Sequence, residues 1–286
     1  MIGQPFHYHA PLTLTAAADL LGALADDAVV LGGGTMLVPA MSANQVRPAN
    51  VIGLSALKLD HITRRAGYVY IGAMTTYAQL LASADIAHSL PLLRLMADGI
   101  TGGPSIWNQG TLGGSAAYAN PASDAPACLV ALQASFELLS TEGVRTLPAR
   151  DFYLGAFRTA RRSTELLIGI RVPVQDAACA SHYDKHKSCA SSWPIVTVAS
   201  FIHPGPQAQV RLAVGGAAAC PVYQARQVDR AELHPSAAWI DDLAASVVAG
   251  VGEGWSDELA DGAYRRAITA AVVRRNLKTT IERIQR

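Results

Sequence analysis

Two glycine-bearing turns constrain this chain more than any other feature. They are Leu31-Gly32-Gly33-Gly34-Thr35-Met36-Leu37 and Gly110-Thr111-Leu112-Gly113-Gly114-Ser115, the second followed by Asn120-Pro121-Ala122-Ser123-Asp124. Glycine lets a backbone approach a phosphate closely and takes φ > 0 without strain. Each turn sets small residues beside a hydroxyl and is expected to offer free backbone N–H groups. Two such surfaces, far apart in sequence, can close on the two phosphates of one dinucleotide. The plain alternative is a pair of tight turns. A P-loop is excluded, because no lysine follows Gly34 or Gly114 in a G-x-x-x-x-G-K-[ST] pattern. The G-x-G-x-x-G fingerprint fails as well, because Leu37 stands where its last glycine belongs. Neither turn carries arginine or lysine, so amides and hydroxyls would have to hold a pyrophosphate. Asp124 suits a ribose, since a carboxylate accepts from sugar hydroxyls; alternatively it is a helix-starting acid favoured by the macrodipole.

Around these turns the pattern alternates strand and helix. Pro11 to Ala25 has an apolar stripe at helical spacing, with Thr15 as a candidate N-cap. Ala28 to Leu31 and Val51 to Leu54 read as short buried strands. Tyr68 to Ala73 is a strand, Thr75 or Thr76 caps a helix through Leu81, and Pro91 to Ala97 is another helix. Ser123 caps a helix running to Leu132, and Ser135 to Leu139 turns at Glu142-Gly143 into Val144 to Leu147. Glu165 to Pro173 is a strand stopped by proline. The texture changes near residue 175. Ile195 to Ile202 and Val210 to Val214 then read as antiparallel partners, and beyond Ala231 the chain is helical.

Composition narrows the class. Half of the 286 residues are hydrophobic, 16% are charged and the net charge is +1. That excludes a broad electrostatic attraction to nucleic acid or an anionic membrane, and no apolar run is long enough to span a bilayer. The N-terminus shows no basic region followed by an apolar one, so a cytoplasmic location is expected. Cys128, Cys179, Cys189 and Cys220 are scattered with no C-x-x-C pair, so they cannot form a Cys₄ iron–sulfur or zinc site. A mean hydropathy of +0.21 hints at surface buried against partners. His182 and His186 could share a metal only on a helix and with a third ligand that is not evident, so no metal site is assigned. His7 and His9 read as a solvated pair, as do the Arg161-Arg162, Arg265-Arg266 and Arg274-Arg275 dipeptides, the last with a possible role toward a partner. Trp107 reads as core.

The blocks LGGGTMLVPAM (31–41), IGAMTTYAQLL (71–81), NQGTLGGSAAYANPASDAPACLVALQA (108–134), DFYLGAFRTARRSTELLIGIRVP (151–173) and YDKHKSCASSWPIVTVA (183–199) carry a resemblance. In order and across the whole chain they are similar to the FAD-binding medium subunits of molybdenum hydroxylases, the group of xanthine dehydrogenase and aerobic carbon monoxide dehydrogenase. RLAVGGAAACPV (211–222) resembles the start of that family's C-terminal domain. The T-[IL]-G-G turn followed by N/D-P-A-S-D is the specific part.

The resemblance implies an α+β fold. A two-part FAD-binding domain of the vanillyl-alcohol-oxidase/PCMH type would span 1–175, with subdomains of about 1–55 and 56–175. A carbon-monoxide-dehydrogenase-flavoprotein-like C-terminal domain of antiparallel sheet and helices would span 176–286. It assigns the pyrophosphate to Gly33, Gly34, Thr35, Thr111, Gly113 and Gly114, with Gly32, Leu31, Leu37 and Ser115 flanking. Asp124 takes the ribose, Leu167 lies near adenine or flavin, and Tyr183 and Lys185 near the isoalloxazine. Ser115 stands where asparagine is usual, Gly32 where alanine is common, Asn120 where aspartate is common and Cys189 where a basic residue often follows; the last bears on flavin potential or acceptor access. No residue here is expected to catalyse by acid–base chemistry. Molybdopterin would sit in a large subunit and two [2Fe–2S] clusters in a small one, the whole forming a dimer of heterotrimers. Electrons would pass from those clusters through FAD to an external acceptor. Two rival readings are a stand-alone flavin oxidoreductase, such as an enolpyruvyl-glucosamine reductase relative, and a partner-binding protein that has lost FAD. The first would need a substrate acid and a hydride-acceptor site that the sequence does not display, and the intact turns with Asp124 speak against the second.

Overall fold

The structure is a computed structural model describing residues 2–285. Three sheets succeed one another along the chain. The first is parallel, in the order β1 (His7–His9), β3 (Asn50–Gly53), β2 (Ala28–Leu31). It carries α1 (Leu14–Leu24) and, after the first glycine turn, α2 (Leu37–Ser42). Helix α1 starts earlier than its pattern suggests. Thr13, not Thr15, is the N-cap: it is extended and its hydroxyl accepts from the Ala16 N–H at 3.1 Å, so Thr15 falls inside the first turn.

The second sheet is antiparallel, in the order β4 (Ile62–Arg65), β5 (Tyr68–Gly72), β10 (Leu166–Pro173), β6 (Ser135–Ser140), β7 (Gly143–Pro148). Its middle strand is the near-continuous apolar run LLIGIRVP, as a strand covered on both faces requires. Between β5 and β6 run α3 (Tyr77–Ala82), α4 (Ala84–Ser89), α5 (Pro91–Asp98), α6 (Gly103–Trp107), α7 (Leu112–Tyr118) and α8 (Asp124–Ala131). Thr76 and Gln79 close a full capping box on α3. Beyond β7, α9 (Ala149–Phe152) leads into the small hairpin β8 (Tyr153–Gly155) and β9 (Arg158–Thr159). Trp107 packs against the main core as expected, its indole N–H donating to the Ile100 carbonyl at 2.8 Å.

The third sheet is a four-stranded antiparallel meander, β11 (Ala180–Lys187), β12 (Pro194–His203), β13 (Gln207–Gly215), β14 (Val222–Asp229). Helices α10 (Ala238–Val251) and α11 (Gly262–Ile284) cover one face and seal a second apolar core. Strand β14 was not expected from the sequence. His182 and His186 lie on β11, and four residues of strand separate their Cα atoms by about 13 Å, so they cannot chelate as a helical pair. The arginine dipeptides are not uniformly solvated. Arg265 is fully buried: its Nη1 donates to the carbonyls of Ile195 at 2.6 Å and Gly216 at 3.0 Å, its Nη2 pairs with Asp257, and its plane lies over Trp255. Arg274 pairs with Asp241 at 2.5 Å, and Arg275 holds Asp184 through two bonds of 2.5 and 2.9 Å.

Candidate cofactor site

The first glycine turn leaves β2 at Leu31, whose carbonyl accepts from the Leu54 N–H at 3.1 Å. A Cβ on Gly33 would stand 1.7 Å from the Gln109 carbonyl oxygen, so glycine is what lets this turn touch the segment leading into the second. Gly34 reverses the chain at φ +73°. None of the N–H groups from Gly32 to Met36 has a partner among the described residues. Residues Gly32 to Leu37 line a cavity of about 780 Å³, within the usual range for cofactor sites.

The second turn does not offer the free amides expected of it. Thr111 is the N-cap of α7, its hydroxyl accepting from the Gly114 N–H at 3.0 Å. The N–H groups of Leu112 and Gly113 donate to the carbonyls of Thr75 at 2.9 Å and Ala73 at 3.0 Å, and that of Ser115 to Thr111 at 3.0 Å. Its glycines serve close packing: a Cβ on Gly113 would lie 2.5 Å from the Ala73 oxygen. The Ser115 hydroxyl shares a 2.6 Å bond with the Tyr77 hydroxyl, whose pKa burial pushes up. Thr111, Gly113, Gly114 and Ser115 all line the same cavity as the first turn.

Asp124 opens α8 and is almost wholly buried, yet it reaches the cavity wall. Its Oδ1 accepts from the Tyr183 hydroxyl and, at 3.0 Å, from Lys185 Nζ, which also donates to the Gly99 carbonyl. Both bonds fall on Oδ1, leaving Oδ2 without a protein partner among the described residues. Burial raises the Asp124 pKa, with the Lys185 charge and the two hydrogen bonds opposing it. Burial, then the Asp124 charge, pushes the Tyr183 hydroxyl well above its ordinary value. Tyr183 and Lys185 thus stand behind Asp124 and not on the cavity wall. Leu31 also lies off the wall, whereas Leu37 and Leu167 lie on it.

Several lining residues have no counterpart in the sequence reading. Val30, Leu54 and Leu166 belong to one apolar cluster, and all three line the cavity, as does Val29. Arg161, expected to be solvated, is only partly exposed and lines the cavity, so a cation reaches it from outside both turns. At the C-terminal-sheet side Trp193 contributes an aromatic ring beside Ser191 and Pro194. The only sequence signal for Arg161 was its place just before β10, and for Trp193 its proline-bounded entry to β12. Cys189 is exposed in the β11–β12 turn, with Sγ 3.5 Å from the Ser191 hydroxyl.

Taken together, unpartnered amides can hold phosphate, a half-free carboxylate can hold sugar hydroxyls, and apolar walls can hold rings. This donor set fits an adenine dinucleotide. Residues 4–175 match the family described as the FAD binding domain in molybdopterin dehydrogenase. The carbon monoxide dehydrogenase medium chain of Hydrogenophaga pseudoflava is 31% identical over 284 residues, 97% of each chain. The nicotine 6-hydroxylase medium subunit of Paenarthrobacter nicotinovorans is 30% identical over 213 residues, covering 73% of this chain and 74% of that one. Among solved structures, reconstituted carbon monoxide dehydrogenase from Oligotropha carboxidovorans superposes with a TM-score of 0.87 at 31% identity, over 99% of this chain and 100% of that one.

Proposed function

This chain belongs to the family of FAD-binding domains of molybdopterin dehydrogenases, and from that premise we propose that it relays electrons as the FAD-carrying medium subunit of a molybdenum-containing hydroxylase. In this reading it takes electrons from [2Fe–2S] clusters of a small partner subunit and passes them to an external acceptor. A large partner holds molybdopterin, and the assembly is a cytoplasmic dimer of heterotrimers. Among the described residues no helix is long and apolar enough to cross a membrane. FAD-binding is assigned to residues 1–175, with subdomains of about 1–55 and 56–175, and the C-terminal domain to 176–286.

The observation that carries the reading is the run of unpartnered amides from Gly32 to Met36 lining the same cavity as Asp124. In it the amides bind the pyrophosphate, with the Thr111 and Ser115 side chains and the packed glycines of α7 lining the cavity beside them. Asp124 Oδ2 would accept from a cofactor hydroxyl, with Tyr183 and Lys185 holding the carboxyl in place through Oδ1. The apolar walls and Trp193 exclude water from the rings. FAD, when bound, supplies chemistry in steps of one or two electrons. The test is the visible spectrum of the chain alone and with its co-purifying partners. A flavin spectrum released on denaturation as FAD, together with iron–sulfur absorbance in the complex, is expected. A colourless chain that takes up no FAD even with its partners refutes the proposal.

A further inference from the structure

An exposed aromatic ridge runs from the cavity wall onto the protein surface. Tyr118, at the end of α7, lines the cavity and is 37% exposed. Its ring packs edge-on against Phe157 at a centroid distance of 5.2 Å, and Phe157 packs edge-on against Trp255 at 6.5 Å. Phe157, in the turn of the β8–β9 hairpin, is 52% exposed, and Leu154 of the same hairpin is 50% exposed. Strained backbone holds Phe157 in place. It sits at φ +56°, and its N–H donates at 2.9 Å to the carbonyl of Ala119, itself at φ +49°. A bulky residue in the left-handed region persists only where its surroundings fix it. Trp255 is fixed by the buried Arg265 guanidinium over its ring and by its backbone N–H, which donates to the Ala217 carbonyl at 2.9 Å.

Next to Trp255 the surface dips into a depression of about 430 Å³ lined by Ala218, Ala219, Pro221 and Val222, with Gly254, the residue before Trp255, on its edge. A fixed, half-exposed aromatic row beside a socket of small residues has the make-up of an interface core. Its charged neighbours, Arg158 after Phe157 and Glu253 and Glu258 around Trp255, are exposed and form no ion pair among the described residues, as suits a polar rim. The occupant follows from where the ridge begins. A protein seated on it lies beside the cofactor cavity, and electron transfer falls off steeply with distance, so the electron donor is the protein that belongs there. A second copy of this chain would bring another cofactor cavity and no source of electrons. The molybdopterin subunit hands its electrons to the clusters and not to this chain. We propose that the Tyr118–Phe157–Trp255 ridge and the depression beside it are the docking surface for the iron–sulfur subunit, an inference that rests on the electron-relay reading above.

The experiment uses the full chain purified with its partner subunits, as wild type, F157N, F157D and L12D, the last a control at an apolar site that is 79% exposed. Binding is read as iron–sulfur absorbance retained per chain on gel filtration across a dilution series. Asparagine and aspartate tolerate φ > 0, so the Phe157 variants keep the hairpin and lose the ring. FAD per chain reports that fold and cavity are intact. F157N and F157D should retain FAD and bind the iron–sulfur subunit roughly thirtyfold more weakly, the loss expected of one interface hot spot. L12D should match wild type in both. A photo-crosslinker, p-benzoylphenylalanine in place of Leu154, should form an adduct with the iron–sulfur subunit, which decides the question even where a Phe157 variant fails to fold. The proposal is overturned if F157N and F157D hold that subunit as tightly as wild type, or if L12D weakens it equally. An adduct only with the large subunit or with a second copy of this chain, or no adduct, also overturns it. A wild-type preparation without FAD or without an iron–sulfur subunit overturns the electron-relay reading itself, before any variant is compared.

Discussion

Replacing Lys185 by methionine tests what its charge does for the buried Asp124. The Lys185–Asp124 pair is 3.0 Å long, with side chains 13% and 9% exposed. At an effective dielectric near 20 that separation corresponds to an attraction of about 5.5 kcal/mol, part of which desolvation cancels. Removing one partner of a buried pair strands the other charge, at a net cost of about 3–5 kcal/mol. Asp124 has one escape, which is to take up a proton. Burial already raises its pKa, and losing Lys185 raises it further. A carboxyl whose folded pKa lies above its unfolded value leaves the fold most stable below both and costs stability as pH rises through the folded one. The K185M deficit should therefore be smallest at acid pH and grow as pH rises through the raised folded pKa, reaching roughly 6–10 °C in Tm at about 2 °C per kcal/mol. The assay is a thermal melt of wild type, K185M and D124N/K185M across that range. The double variant, which has no buried charge, should recover most of the loss. A deficit that is independent of pH, or a double variant as unstable as K185M, would refute the reasoning.

Gly33→Ala should cost about 1–3 kcal/mol and lower flavin content, because its Cβ would meet backbone at 1.7 Å; Gly32→Ala, whose Cβ would have ordinary contacts at 3.5 Å, should retain both Tm and flavin. Arg265→Met leaves the Ile195 and Gly216 carbonyls and Asp257 without their donor and should lose about 3–5 kcal/mol in chemical denaturation. Burial pushes the Glu165 carboxyl up, but Arg145 and the Arg162 N–H outweigh it and hold it below its ordinary value. Its contribution is therefore present above the unfolded pKa and lost as pH falls through the folded one. Glu165→Gln should flatten that acid limb in Tm-against-pH curves.

Legibility in the sequence follows from how local each cause is. The run LLIGIRVP announces a doubly covered strand, Glu142-Gly143 announces the β6–β7 hairpin, and Pro91 announces the start of α5, because each is decided within a few residues. The second glycine turn looks as though its amides are free, since their acceptors on Ala73 and Thr75 arrive from a distant segment. Arg265 reads as solvated because charge suggests water. Its burial depends on carbonyls of Ile195 and Gly216 that only the third sheet supplies. The same holds along α11, where Asn276 donates to the Val198 carbonyl at 3.0 Å and Thr280 shares a 2.6 Å bond with Ser200, so polar residues line its inward face. Arg161, read as solvated, and Trp193, not read at all, were misjudged because a loop residue's direction is set by what packs against it.

The proposed division near residue 175 separates sheets but does not separate cores. The largest apolar cluster joins Leu92, Met96 and Leu129 of α5 and α8 to Tyr183, Ala199, Phe201 and Ala213 of the third sheet. Cys128, fully buried in that cluster, touches the Leu92 carbonyl through Sγ, and burial raises its thiol pKa. Asp124 is held by the same third sheet through Tyr183 and Lys185, so the cavity's carboxylate and the interface between α8 and β11 form one unit. A chain cut after residue 175 would expose one face of α5 and α8 to water and strand Asp124 without its donors. It should therefore be aggregation-prone or melt without a cooperative transition, and should bind FAD far more weakly than the full chain. A cooperatively melting 1–175 fragment with full FAD affinity would show that the third sheet is dispensable to the site, contrary to where its side chains lie.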